Sequence, residues 1–242
     1  MTISGMKPER IRYGGNPNQF FELWHPESRV TGLAIFIHGG FWRAKYDLSH
    51  ANPFCGALAA RGIRTANLEY RRVGQPGGGW PGTFEDVVAG VRAASGYLGG
   101  GPVVIGHSAG GHLALRLASE EVSVKAVVAL APVADLRRAY ELNLSNGAVV
   151  EFLGGAPAEI PDRYDEACAS KHASSVRRDI VLGTEDEDVP VAISRSFVRM
   201  QQGDPQAPNL LEIPNAGHMD LIDPKSAAGL IVIDLIKGLN EP

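Results

Sequence analysis

The sequence predicts an α/β fold, a mostly parallel central sheet with helices on both faces and a small cap. Three observations point there. Short, wholly apolar segments of strand length alternate with amphipathic segments of helix length, the pattern of a buried sheet with crossover helices. Two of the apolar segments run straight into glycine-rich turns. The length, 242 residues, suits one α/β domain.

In chain order, residues 33–37 (LAIFI) read as a strand ending at His38-Gly39-Gly40. Asn52-Pro53 offers an N-cap and first-turn pair for a helix running to about residue 61. Residues 65–70 form the next strand. Thr83-Phe84-Glu85-Asp86 has the form of a capping box with Asp in place of Glu, and Val87, Val91, Ala94 and Leu98 fall on one helical face behind it. Residues 103–105 are a buried strand, followed by the turn 106–110 and a helix over about 109–119. Residues 124–130, 180–182 and 210–213 supply further strands. The closing helix carries Ala228, Val232, Leu235 and Leu239 on one face. Residues 132–177 are long and irregular, with several Pro, Gly and Asn, and are expected to form short helices or a cap over a site. The expected organisation is a single domain over 1–242 with 132–177 as a cap insertion.

Apolar residues make up 44% and charged residues 21%, enough for a sizeable core without metals or disulfides. The net charge of −4, from 23 basic and 27 acidic side chains, argues against a nucleic-acid partner. Cys55 and Cys168 make neither a disulfide framework nor a metal cluster and read as free thiols. No apolar run is long enough to span a bilayer, and the first residues lack the apolar stretch of a signal peptide. A cytoplasmic protein with no membrane partner is the expectation; the sequence is silent on oligomeric state.

The chemistry is concentrated in a few segments. Gly106-His107-Ser108-Ala109-Gly110 is a G-x-S-x-G turn between a strand and a helix. A nucleophile on so sharp a turn sits in a strained backbone, and side chains two residues to either side would collide. Glycines remove those collisions. The helix that starts there aims its free N–H groups and dipole at negative charge developing on a substrate oxygen. Ser108 is therefore the candidate nucleophile, and the Ala109 N–H one oxyanion donor. In His38-Gly39-Gly40-Phe41-Trp42, after the first apolar strand, the two glycines let the backbone approach a substrate, and Gly40 or Phe41 would supply the further N–H donors.

A serine hydroxyl needs a base. Of the seven histidines, His107 and His112 are tied to the turn and its helix, and His38 braces its own loop. His25, His50 and His172 have no motif around them. His218, in Asn215-Ala216-Gly217-His218-Met219-Asp220 between the last strand and the last helix, is the candidate base. The acid that orients it should follow the penultimate strand, where Glu185-Asp186-Glu187-Asp188 stand in succession. Asp186 is the first choice, Asp188 the second and Asp135 a distant third. Phe41, Trp42, Tyr46, Trp80 and Met219 are candidate substrate contacts, with core packing the competing role for the rings.

HGGFW, GHSAGG, GTEDEDVP and AGHMDLIDP together resemble the α/β-hydrolase branch that holds kynurenine formamidases (arylformamidases) and related small esterases. Asn67-Leu68-Glu69-Tyr70-Arg71, Trp80-Pro81-Gly82 and Glu85-Asp86-Val87 are similar to that group as well. The resemblance runs from about residue 30 to 235. It implies Ser108, Asp186 and His218 as a catalytic triad, with Gly39, Gly40 and Phe41 lining the oxyanion hole and no cofactor. The first 25 residues and 132–177 match no motif of the branch.

The expected chemistry is hydrolysis of a small ester or aryl formamide through an acyl-enzyme. A plain short-chain carboxylesterase is the alternative. A peptidase would need a further domain or a carboxylate clamp. A nucleotide-binding module fails because 106–111 matches neither the dinucleotide nor the P-loop fingerprint. A metal hydrolase fails because no histidines sit at ligand spacing beside acids. A non-catalytic binding protein on this fold would be expected to lack a triad member.

Overall fold

A computed structural model describes residues 7–203 and 206–241. Eight strands form one sheet: β1 (Glu9–Arg12), β2 (Phe20–Trp24), β3 (Gly32–Ile37), β4 (Ile63–Leu68), β5 (Val103–His107), β6 (Ala126–Leu130), β7 (Arg177–Gly183) and β8 (Asn209–Ile213). Their spatial order is β1-β2-β4-β3-β5-β6-β7-β8. β1 and β2 run antiparallel, and β2 is antiparallel to β4; every later pairing is parallel. This is the α/β-hydrolase fold.

The inner strands are apolar at nearly every position because both faces are covered. Ile35 and Ile37 of β3 point into one hydrophobic cluster, and Ala34 and Phe36 into the other. The first cluster is closed by α2 (Gly82–Leu98), α3 (Ala109–Leu117) and α7 (Val191–Met200). The second is closed by α1 (Asn52–Ala59) and α8 (Ala227–Asn240). From β3 the chain winds outward to β4, then crosses back to β5 on the other side of β3. Where the winding reverses, the loops after β3 and β5 diverge at the carboxyl ends of the strands, the place where open α/β sheets bind their ligands. Residues 38–42 and Ser108 emerge at that point.

Residues 132–177 fold into α4 (Leu136–Glu141), α5 (Ala148–Leu153), α6 (Pro161–Ala167) and a 3-10 turn at Ala169–Lys171. Their buried side chains, among them Leu136, Phe152 and Tyr164, join the cluster that also holds α2 and α3. The segment is therefore bonded to the core by the same apolar burial as the helices around it.

Three local expectations are corrected. The capping box at Thr83 is not formed: the Thr83 N–H goes to the Gly79 carbonyl, and the Asp86 carboxylate instead takes Arg71, through its N–H, Nε and a terminal nitrogen, and Gln19. A buried carboxylate gains more from a bidentate guanidinium than from one backbone donor. Asn52 lies inside α1 and accepts a bond from Asn67 rather than capping the helix. The strand expected at 65–70 is β4, two residues earlier, so Tyr70 stands beyond it with its hydroxyl on the His38 carbonyl, 2.7 Å away.

Candidate active site

Ser108 lies between β5 and α3 with φ 58° and ψ −119°, a conformation that costs of order 1–3 kcal/mol for a non-glycine residue. The surroundings hold it there. The Ser108 N–H donates to the Leu130 carbonyl at 2.8 Å, and its own carbonyl accepts the N–H of His112 and Val133. A Cβ at Gly106 would collide with the Gly110 carbonyl, and one at Gly110 with the carbonyls of Ile37 and His38. Both glycines of the turn are thus demanded by close backbone approach.

Gly39 presses against this turn: a Cβ there would stand 2.9 Å from the Ser108 Cβ and 2.9 Å from the His107 carbonyl. The chain then passes through Gly40 (φ 106°), Phe41 (φ 51°) and Trp42 (φ 59°), all left-handed. Among the described residues the N–H groups of Gly39, Gly40 and Phe41 make no hydrogen bond. They and the orphan N–H of Ala109 at the start of α3 are the donors available beside Ser108.

A buried polar network stiffens the loop. His38, fully buried, places Nδ1 2.7 Å from the Gly39 carbonyl and Nε2 3.0 Å from the Glu69 carboxylate, and stacks on Tyr70 with ring centres 4.4 Å apart. Glu69 also accepts the N–H groups of Tyr70 and Leu48, and Arg72 stands 3.4 Å from it. Burial pushes the Glu69 carboxyl up, but His38 and Arg72 outweigh that and hold it below the usual carboxylate range.

His218 Nδ1 lies 2.7 Å from Asp186 Oδ2. The other oxygen, Oδ1, accepts the N–H groups of Asp188 (2.9 Å) and Val189 (2.7 Å), so the loop after β7 sets the carboxylate's orientation. Asp186 is buried; Asp188 is exposed and its contribution here is its backbone N–H. Asp135 stands elsewhere: it caps α4 through the Arg138 N–H and accepts the Ser196 hydroxyl at 2.7 Å.

The rings divide. Trp42 is fully buried, stacked on Phe152 at 4.4 Å and edge-on to His112, so it is core and cannot touch a substrate. Its indole is large and apolar, and α5 supplies a flat partner beneath it. Trp80 is also packed away, stacked on Phe84, with its Nε1–H on Glu166. Phe41 is half-buried, Tyr46 (41% exposed) packs beside Gly40, and Met219 (49% exposed) follows His218. These three remain as candidate contacts. His107, tied to the turn in sequence, is buried and hydrogen-bonded, but its partner is the His218 loop, on which its ring packs with centres 4.5 Å apart. The distant partner leaves no signal in the sequence around position 107. Among the described residues no group of His, Cys, Asp and Glu could hold a metal, no helix is long and apolar enough to cross a membrane, and both cysteines are free.

Two buried histidines near the site carry a stability prediction. Burial first, and His218 next, hold the His107 pKa well below its ordinary value; burial holds His112 down to about 4. In the unfolded chain both protonate as pH falls through about 6.5, while in the fold they stay neutral, so acid favours unfolding. Full stability should be present above pH ~6.5 and fall as pH drops below it, by up to about 1.4 kcal/mol per pH unit for each histidine, the His112 share being complete near pH 4. Urea unfolding at pH 7 and pH 5 should show a clear drop in midpoint. An unchanged midpoint would contradict the neutral-histidine assignment.

A strand–serine–helix turn at the sheet's switch point, next to a buried Asp–His pair, is the arrangement of an α/β-type hydrolase. The family model described as alpha/beta hydrolase family matches residues 34–229, and the chain belongs to that family. No curated protein matches the chain. Among solved structures it is similar to esterase B from Lactobacillus rhamnosis (19% identity, covering 99% of this chain and 88% of that one, TM-score 0.81). It is similar to a truncated carbohydrate esterase from gut microbiota (18% identity, 98% and 96% covered, TM-score 0.79). A third is a thermophilic esterase from Thermogutta terrifontis (22% identity, 98% and 91% covered, TM-score 0.73). At these identities the likeness is one of fold.

Proposed function

We propose that the protein is a serine hydrolase that cleaves small-acyl esters or aryl formamides of the N-formylkynurenine kind through an acyl-enzyme. The observation that carries this reading is the 2.7 Å contact of His218 Nδ1 with buried Asp186, on a loop whose histidine packs against the residue preceding Ser108. Asp186 accepts the Nδ1 hydrogen, which leaves Nε2 with a free lone pair, the tautomer a general base needs. Ser108 attacks the acyl carbon as His218 takes its proton. The carbonyl oxygen becomes an anion, and the N–H groups of Gly40, Phe41 and Ala109 are the donors that would meet it, each worth ~10²–10³ in rate where geometry is right. His218 then protonates the leaving alcohol or amine, and water repeats the sequence to free the acid.

The esterase names of the structural neighbours favour ester cleavage; the HGGFW and GHSAGG motifs favour the formamide. A partly buried Phe41 beside the oxyanion donors leaves little room for a long acyl chain, while Tyr46 and Met219 offer apolar surface to a leaving group. One methylene too many in a tight apolar site typically changes discrimination by ~10- to 200-fold. The test compares kcat/KM for p-nitrophenyl acetate, butyrate and octanoate, with N-formylkynurenine alongside. A steep fall from acetate to octanoate is expected. Fastest turnover of octanoate would end the small-acyl reading, and ester turnover without formamide cleavage would leave a short-chain carboxylesterase.

A further inference from the structure

His107 is buried (2% exposed) and immediately precedes Ser108. Its Nε2 lies 3.1 Å from the main-chain oxygen of His218, and the two rings pack at 46° with centres 4.5 Å apart. A carbonyl oxygen can only accept, so Nε2 carries the hydrogen and donates it. The second nitrogen, Nδ1, is buried and has no hydrogen-bond partner. A proton added there would be buried with no acceptor, so the imidazole is neutral.

The other hydrogen bonds of the His218 loop lead away from Ser108. The Ala216 carbonyl accepts the Glu185 N–H at 3.0 Å, Asn215 donates to Thr184, and His218 itself bonds Asp186. All three partners lie after β7, two strands away from β5 in the sheet. The Gly217 N–H turns to Asp220 within the same segment. Base and acid are thus fastened to each other. Among the described residues, the His107 to His218 bond is the one hydrogen bond that fastens this pair to the turn bearing the serine.

We propose that His107 is a positioning residue: by donating Nε2–H to the His218 carbonyl it holds the base in register with the nucleophile one residue away. This rests on the reading of Ser108 and His218 as nucleophile and base. The clamp runs from the side chain of the residue peptide-bonded to Ser108 to the backbone carbonyl of His218. It therefore fixes the separation of two elements that the sheet alone leaves to loop conformation. The ring face adds a wall against which the His218 imidazole lies, limiting its rotation about the Asp186 bond. Catalysis is sensitive to such register: a 1 Å misplacement can cost ~10²-fold in rate.

The experiment uses the full chain with His107 replaced by Leu, Asn or Gln. Leu removes the donor. Asn is polar but too short to reach, and serves if Leu does not fold. Gln places an amide N–H near the position of Nε2. With p-nitrophenyl acetate, Leu and Asn are expected to lower kcat by roughly 10- to 100-fold with KM nearly unchanged, because only the proton-transfer geometry is disturbed. Gln should recover most of the loss. Wild-type kcat in both the Leu and Asn variants, or a Gln variant as slow as Leu, would overturn the proposal. So would a loss of kcat that tracks thermal stability across all three, which is what general packing would give. A fluorophosphonate arm separates the two levels: wild type must be labelled and Ser108→Ala must not. If that fails, the nucleophile reading falls and takes the clamp with it. If it holds while the His107 variants are indifferent, the clamp alone is wrong.

Discussion

Ser108→Ala and His218→Ala are each expected to lower ester turnover by ~10⁴-fold or more, and the double variant to be little slower than either. The reason is that the two side chains act in one step. Without the hydroxyl there is nothing for the imidazole to deprotonate, and without the imidazole the hydroxyl is a very weak nucleophile at neutral pH. Removing the second after the first therefore takes away a group that is already idle. What survives should be the background from the oxyanion donors and substrate binding, which these substitutions leave alone. Both variants should fold: among the described residues Ser108 makes its hydrogen bonds through main chain, and the His218 side chain bonds only Asp186. Multiplicative losses in the double variant would count against a shared proton transfer. Covalent labelling of Ser108→Ala by a fluorophosphonate would place the nucleophile elsewhere.

Much of this arrangement is legible in the sequence because it depends on local backbone geometry. The G-x-S-x-G turn is dictated by collisions that Gly106 and Gly110 avoid, and those collisions are present in the folded chain with carbonyls as the obstacles. The inner strands β3, β5 and β6 are equally plain, since burial on both faces leaves no polar position except His107 at the end of β5. The antiparallel pair β1 and β2 is different. Its register is set by β4, some 40 residues further along the chain, and β2 carries a buried Glu22 that pairs with Arg10 across the strands. Nothing within the FFELW segment announces that partner. α7 is also hard to read: its apolar face rests on Ile193 and Phe197, one turn apart, behind an acidic loop.

Side-chain destination is the level at which sequence reasoning weakens most. A tryptophan next to oxyanion glycines reads as a pocket wall, yet Trp42 turns inward because Phe152, 110 residues later, offers a stacking face in the core. Asp86 reads as a helix cap, yet it answers Arg71 and Gln19. In both cases a long-range partner outcompetes a local one, and its identity exists only once the chain is folded. The clamp from His107 to the His218 carbonyl belongs to the same class, since residues 111 positions apart meet through main chain at one end.

The two acidic candidates after β7 differ by two positions in sequence and are expected to differ greatly in effect. Asp186→Asn should lower kcat by about 10⁴-fold, the size seen when a triad carboxylate becomes an amide. Asp186 is a pure acceptor, with Oδ1 taking the N–H groups of Asp188 and Val189 and Oδ2 facing His218 Nδ1. An asparagine keeps one acceptor oxygen. The two backbone N–H groups will claim it, because the amide nitrogen cannot accept from them. The –NH₂ is then turned toward His218, where it donates to Nδ1 and drives the hydrogen onto Nε2. That tautomer has no lone pair for the Ser108 proton. The substitution is nearly isosteric, so the fold and KM should change little while kcat collapses. Asp188→Asn leaves its backbone N–H in place and alters only an exposed side chain, so kcat should stay within a few-fold of wild type. Steady-state kinetics of the two variants, with thermal melts to verify folding, decide between them. A severe Asp188→Asn and a mild Asp186→Asn would move the acid to position 188 and leave Ser108 and His218 in their roles.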